Sequence, residues 1–260
     1  MLPLEGMRIL VTRESQQAKP FTDMITQRGG ISIEIPLLVF QRSNDLTTKR
    51  KLEQVYDYEW IVFTSSNGIH HFFDWLEELE IDQSYLSQKR FAVVGDKTAQ
   101  SLLEYGFLAD FVPDIYTGKQ LGESFAETTN DKTSLLVVQG NLSKQTAAQE
   151  LKEQGHRVET VTVYETHVNV KIKDGLQEEL LSHSLDILTF TSPSTVRAFC
   201  SLGEGAITED TLSKPCLCIG STTEQEAKSY GFSHVVVPHT FSIEGMIEAL
   251  EAYQKRHKEG

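Results

Sequence analysis

The chain has little cysteine. Three in 260 residues, an odd number, argue against a disulfide framework and fit a reducing compartment. Positive charge is also scarce. The 24 Lys and Arg residues face 37 Asp and Glu, a net charge of −13, which disfavours broad attachment to nucleic acid or to an anionic membrane. No apolar run approaches the roughly 20 residues that span a bilayer. The start, Met1-Leu2-Pro3-Leu4-Glu5-Gly6, lacks the basic and apolar regions of a signal peptide, so a cytoplasmic location is expected. No phosphate loop, G-x-G-x-x-G, G-x-S-x-G or H-E-x-x-H pattern is present, which leaves nucleotide, hydrolase-elbow and zinc-protease readings without support. The eight histidines form no metal pattern and most read as surface residues; His70 and His71 are adjacent and, on a helix, point about 100° apart. Cys216 and Cys218 alternate on one face of a strand and read as core.

What the chain does contain is itself, twice. Phe63-Thr64-Ser65-Ser66 returns as Phe190-Thr191-Ser192-Pro193, and Val94-Gly95-Asp96-Lys97-Thr98 returns as Ile219-Gly220-Ser221-Thr222-Thr223. Ile9-Leu10-Val11-Thr12 returns as Leu136-Val137-Val138-Gln139. The offsets are 127, 125 and 127 residues, so a unit of about half the chain is duplicated. Two similar lobes would make a cleft, where ligands usually sit.

Short β-branched runs alternate with amphipathic stretches, the pattern of an α/β protein with parallel sheets. The expected strands are 8–12, 31–36, 60–64, 91–94 and 110–113, then 135–139, 157–163, 186–191, 216–220 and 234–238. Helices are expected over 67–79 and 143–154, and Gly29-Gly30, Gly106, Gly155 and Gly231 read as helix C-caps. In each copy two strands are followed by a segment of different character, 37–45 in the first and 164–174 in the second. The latter holds Val168-Asn169-Val170-Lys171-Ile172, which alternates like an exposed ribbon. Two assemblies fit: lobes near 1–125 and 126–260, or a middle lobe of about 44–163 with both ends joined into the other. In the second, the two special segments cross between lobes and pair.

Six turns share one chemistry, a strand that ends in hydroxyl or glycine residues and runs into a helix. They are Thr12-Arg13-Glu14-Ser15, Thr64-Ser65-Ser66-Asn67, Gly95-Asp96-Lys97-Thr98, Gln139-Gly140-Asn141, Thr191-Ser192-Pro193-Ser194 and Gly220-Ser221-Thr222-Thr223. Ligands of open parallel sheets bind beyond the carboxyl ends of strands, where free N–H groups favour anions. The same residues are also the preferred helix caps, whether or not anything binds. Arg13, Lys97 and Arg197 are the best-placed cations, and each also reads as an ordinary helix-surface residue. Tyr164 lies where a strand enters the special segment. It reads either as a proton donor near the cleft or as a packing aromatic.

Together these motifs carry a family likeness. Leu10-Val11-Thr12-Arg13, Ile61-Val62-Phe63-Thr64-Ser65-Ser66-Asn67-Gly68, Val93-Val94-Gly95-Asp96-Lys97-Thr98-Ala99, Val163-Tyr164-Glu165-Thr166, Phe190-Thr191-Ser192-Pro193-Ser194 and Ile219-Gly220-Ser221-Thr222-Thr223 resemble, in order and spacing, the uroporphyrinogen-III synthase family. The likeness runs from about residue 8 to 250. It implies two similar flavodoxin-like α/β domains, each a five-stranded parallel sheet flanked by helices, joined by a two-stranded β-ladder. The domains would be 1–37 with 172–260, and 44–163, with the ladder at 38–43 and 164–171.

The resemblance implies a substrate as well. Hydroxymethylbilane, a linear tetrapyrrole with eight carboxylates, loses water, inverts its last pyrrole ring through a spiro intermediate and closes, without a cofactor and in a monomer. Tyr164 matches the residue that assists loss of the hydroxyl. Thr98 and Thr223 match the G-x-x-T threonines, and Ser65, Ser66, Ser192 and Ser194 match the serine-rich turns. Arg13, Thr64, Gly140 and Thr222 complete the expected substrate contacts. Members often carry Arg-Gly where this chain has Gln139-Gly140, which removes one positive charge. Outside enzymes, a two-lobed tetrapyrrole-binding or small-anion sensor module has the same gross features.

Overall fold

The structure is a computed structural model that describes residues 2–126 and 131–258. In chain order its elements are β1 (Arg8–Val11), α1 (Ser15–Gln27), β2 (Ile31–Glu34), β3 (Leu38–Arg42), α2 (Leu46–Glu53), β4 (Trp60–Phe63), α3 (Ser66–Glu78), β5 (Arg90–Val93), α4 (Asp96–Glu104), α5 (Gly118–Phe125), β6 (Ser134–Gly140), α6 (Thr146–Glu153) and β7 (Arg157–Val168). There follow α7 (Lys173–Leu181), β8 (Ile187–Phe190), α8 (Pro193–Leu202), α9 (Glu209–Ser213), β9 (Cys216–Cys218), α10 (Ser221–Ser229), β10 (Val235–Val236) and α11 (Ile243–Lys258). The chain separates into two compact units, residues 1–39 with 167–260 and residues 40–166.

The first unit holds a sheet of order β10-β9-β8-β1-β2, parallel throughout. Numbered along the chain within the unit, that is 2-1-3-4-5 read from β2, the flavodoxin-like order, which changes direction between β1 and β8. Every residue of β8 is buried, because helices cover both faces of a parallel sheet. Ile9, Val11 and Ile187 pack on one face with Phe21 and Met246, while Leu10, Leu188 and Phe190 pack on the other with Phe199 and Phe232. Cys216 and Cys218 lie in that second cluster, their sulfurs 3.8 Å apart.

The second unit uses the order β3-β7-β6-β4-β5. Strands β7, β6, β4 and β5 are parallel and correspond to β2, β1, β8 and β9. Trp60 and Val62 point to a cluster with Leu121, Phe125 and Leu151, and Ile61 and Phe63 to one with Phe72, Trp75 and Phe91. The fifth strand differs from the sequence expectation. Residues 110–113 make a single bridge, Ala92 to Phe111, rather than a strand, since Pro113 has no N–H to continue a ladder. The fifth place is taken at the opposite edge by β3.

Strand β3 runs antiparallel to β7. Ser43 N–H donates to Val163 O at 3.1 Å and Asn169 N–H to Leu37 O at 2.9 Å, so one strand advances by six residues as the other recedes by six. The alternating run 168–172 is only partly extended. Strand β7 stops at Val168, and Val170–Ile172 is a 3-10 turn leading into α7. The pairing ends where its partner reaches Pro36, whose carbonyl instead accepts from the Asn169 side chain at 2.9 Å.

Gly106 and Gly231, equivalent residues of the two copies, close α4 and α10 at φ +85 and +90. A Cβ at Gly106 would meet nothing within 4 Å, and one at Gly231 only Leu212 Cδ1 at 3.7 Å. Replacement by alanine therefore costs backbone strain alone. Gly106→Ala and Gly231→Ala are each expected to lower unfolding stability by about 1 kcal/mol in urea titrations. An unchanged midpoint in both would contradict the left-handed caps.

Candidate active site

The polar groups of each sheet collect where its strand order reverses, the place at which ligands of such sheets bind. In the first unit that place lies between the ends of β1 and β8. Thr12 is fully buried and its hydroxyl donates to Thr189 O at 2.7 Å, tying the two strand ends together. Arg13 follows, half-buried, with Nη2 donating to Gln17 Oε1 at 3.0 Å. Burial pulls its guanidinium below the ordinary value, with Glu14 opposing, so a desolvated cation stands at this strand end. Opposite, Ser192 caps α8. Its Oγ accepts from Thr195 N at 3.2 Å and meets Ser194 Oγ at 2.9 Å.

In the second unit the equivalent place lies between β4 and β6. Thr64 Oγ1 donates to Val138 O at 3.3 Å, again joining two strand ends. Ser65 caps α3, accepting from Gly68 N at 3.1 Å, and has the same extended backbone as Ser192 (φ −163, ψ 157 against −162, 157). Ser66 Oγ donates to Lys97 O at 3.3 Å.

Tyr164 is closely surrounded. Strands β6 and β7 keep register up to Gln139–Thr162 and then shift, so that Gly140 pairs with Tyr164. The shift lays the Tyr164 ring over Gly140, where an added Cβ would sit 2.4 Å from Cζ. His71 stacks on the ring at 5.2 Å and 23°, and Phe40 meets it edge-on at 5.8 Å and 87°. The hydroxyl lies 3.4 Å from Ser65 Oγ. Only 8% of the residue is exposed. The ring of Tyr164 is therefore core, and its hydroxyl lies beside a strand-end turn. Gly140 supports the tyrosine, and its N–H donates to Ser143 Oγ at 3.1 Å.

Other residues read from the sequence stand differently. Thr98 and Thr223 are buried, 5% and 1% exposed, so neither hydroxyl is available at the surface; Thr222 beside the latter is exposed. Arg197 is engaged by Glu226 at 2.9 Å. Gln139 is buried at 4% exposure, a neutral amide near the end of β6. His71 is not among the residues expected at the site from the sequence. Its signal was its place in α3, three residues from Gly68 and four from Trp75, on the flank of the apolar face. Among the described residues no cluster of His, Cys, Asp and Glu is arranged to hold a metal, and no helix is long and apolar enough to cross a membrane.

Fold and site define a parallel α/β protein of two units whose polar groups gather at strand-order reversals, with one tyrosine fixed at such a reversal. A family model described as uroporphyrinogen-III synthase HemD matches residues 19–248. The chain belongs to the uroporphyrinogen-III synthase family, hydro-lyases of tetrapyrrole biosynthesis. It is 29% identical over 249 residues to the porphyrin biosynthesis protein HemD of Ruminiclostridium josui, covering 95% of this chain but 49% of that one. It is 26% identical to the uroporphyrinogen-III synthase of Synechococcus elongatus over 98% of both. A mutant uroporphyrinogen III synthase from Thermus thermophilus shares the fold with a TM-score of 0.67 at 16% identity, over 98% of this chain and 100% of that one. The Helicobacter pylori enzyme does so at 0.63 and 20%, over 95% and 99%.

Two measurements check this geometry. Burial lowers the pKa of His71, with Asp74 opposing, and burial with Lys132 lowers that of His156. Below about pH 6.5 the unfolded chain therefore takes up protons that the folded one refuses, and stability falls toward acid. His71→Phe, which keeps a ring on Tyr164, is expected to reduce that fall in urea midpoints between about pH 7 and 5; an identical slope would place His71 in water. Gly140→Ala is expected to cost about 1–3 kcal/mol through overpacking, with a changed near-ultraviolet tyrosine signal. A native signal and midpoint would mean the ring does not lie on Gly140.

Proposed function

We propose that this chain converts hydroxymethylbilane to uroporphyrinogen III in the cytoplasm, acting as a monomer and without a cofactor, with Tyr164 as the proton donor. The observation that carries the reading is the fixed phenol of Tyr164 at the reversal between β4 and β6, in a chain of this family. The Tyr164 hydroxyl gives a proton to the leaving hydroxyl of the substrate. The pyrrole nitrogen lone pair expels it as water. Carbon–carbon bond formation to the last ring gives the spiro intermediate, whose cleavage and reclosure invert that ring. A proton lost from the closing pyrrole carbon restores aromaticity and balances the one donated, so the net change is loss of one water.

A flexible polyanion bound by a protein of charge −13 needs local positive field. Arg13 supplies a cation, and the turns at Ser65, Ser66, Ser192, Ser194 and Thr222 supply hydroxyls and backbone N–H groups. Fixing the bilane in the geometry that inverts the ring is catalysis by orientation, with one acid added.

Freshly generated hydroxymethylbilane should yield the type III isomer after oxidation and separation of products; only type I would overturn the assignment. Tyr164→Phe should lower kcat by about 10²-fold with little change in KM. An unchanged kcat would remove Tyr164 as the acid.

A further inference from the structure

The duplication extends into a segment that the substrate turns do not include. Pro113-Asp114-Ile115-Tyr116-Thr117 recurs as Pro238-His239-Thr240-Phe241-Ser242, at the same 125-residue offset that relates Gly95 to Gly220. The local structure repeats with the sequence. Thr117 N–H donates to Ile115 O at 2.7 Å and Ser242 N–H to Thr240 O at 2.8 Å. Thr117 Oγ1 caps Gln120 N at 3.1 Å, and Ser242 Oγ caps Gly245 N at 3.1 Å.

In each copy this segment brings an aromatic ring onto the glycine of the G-x-x-T turn. A Cβ on Gly95 would lie 2.7 Å from Tyr116 Cγ, and one on Gly220 would lie 3.3 Å from Phe241 Cδ2. Neither glycine is required by its backbone, which is extended at both (φ 179 and −169). What the glycines provide is a bare surface for a ring. The rings are nonetheless far from buried: Tyr116 is 54% exposed and Phe241 62%. Tyr116 is further held by its hydroxyl, which donates to Asp96 Oδ2 at 2.5 Å. An aromatic side chain braced by a glycine yet left open to water gains little for the fold, since most of its area remains solvated. Having this arrangement in both copies needs another reason.

We infer that Tyr116 and Phe241 are each a stacking platform for a pyrrole ring of the linear tetrapyrrole. The inference rests on the substrate proposed above, an alternation of flat π-rings and carboxylates. The turns and Arg13 address the carboxylates and leave the rings without a partner. An aromatic face supplies one, with offset or edge-on contact. Because the pyrroles are linked by single carbons, holding a ring on a platform would also restrict the conformations from which closure begins.

The test uses the full-length protein and uroporphyrin III, a stable octacarboxylate, as the probe. Butane-1,2,3,4-tetracarboxylate serves as a ring-free control. Tyr116→Leu and Phe241→Leu should each weaken uroporphyrin III binding about 10-fold and raise KM for hydroxymethylbilane, while binding of the control is unchanged. Tyr116→Phe should behave as wild type, and Tyr116→Trp and Phe241→Trp should bind at least as tightly. Leucine variants that bind uroporphyrin III like wild type overturn the inference, as does an equal loss for the ring-free control. If the leucine variants melt early, the tryptophan variants decide: weaker uroporphyrin III binding at a native melting temperature overturns it. A wild-type protein that forms only the type I isomer refutes the proposed reaction, a result separate from the porphyrin titrations.

Discussion

The ring of Tyr164 occupies the space a side chain at residue 140 would fill. Much of the second unit's chemistry follows from that one close approach. It requires glycine at 140 and a register shift between β6 and β7. It also requires the neighbours that complete the ring's surroundings, His71 from α3 and Phe40 from β3. Val163, at the shift, is held in turn: its carbonyl accepts from Ser43 N at 3.1 Å and from the Trp75 indole at 3.1 Å. The phenol is thereby positioned by backbone pairing and packing rather than by one hydrogen bond.

The α/β class was legible because fully buried parallel strands read as short apolar runs, as Trp60–Phe63 and Ile187–Phe190 do. The serine caps were legible because cap chemistry is local. Less visible were features decided across the chain. Nothing near Asp110 announces that its segment makes one bridge while β3 takes the edge place. The alternation of Val168, Val170 and Ile172 looked extended because period-2 patterning does not report where a pairing partner stops.

The site was legible to a similar depth. Hydroxyl-rich turns can be found by composition, but burial cannot, so Thr98 and Thr223 looked equivalent to their exposed neighbours. His71 was hidden because its role depends on a strand 93 residues later. Repetition, by contrast, carries information over any distance. The second aromatic motif, Tyr116 and Phe241, was available from the duplication alone once the register was followed past the G-x-x-T turns.

The two units are finished at different times as the chain leaves the ribosome. Residues 40–166 form an uninterrupted unit, so its sheet is all but complete once residue 166 has emerged. The first unit begins earlier and ends later. Strand β1, central in its sheet, has β2 on one side from the start but waits for β8, some 180 residues downstream, on the other. For most of synthesis the opening β-α-β segment is a half-sheet with an unsatisfied edge. The order of birth thus runs inside out, the inserted unit folding first and its host closing last.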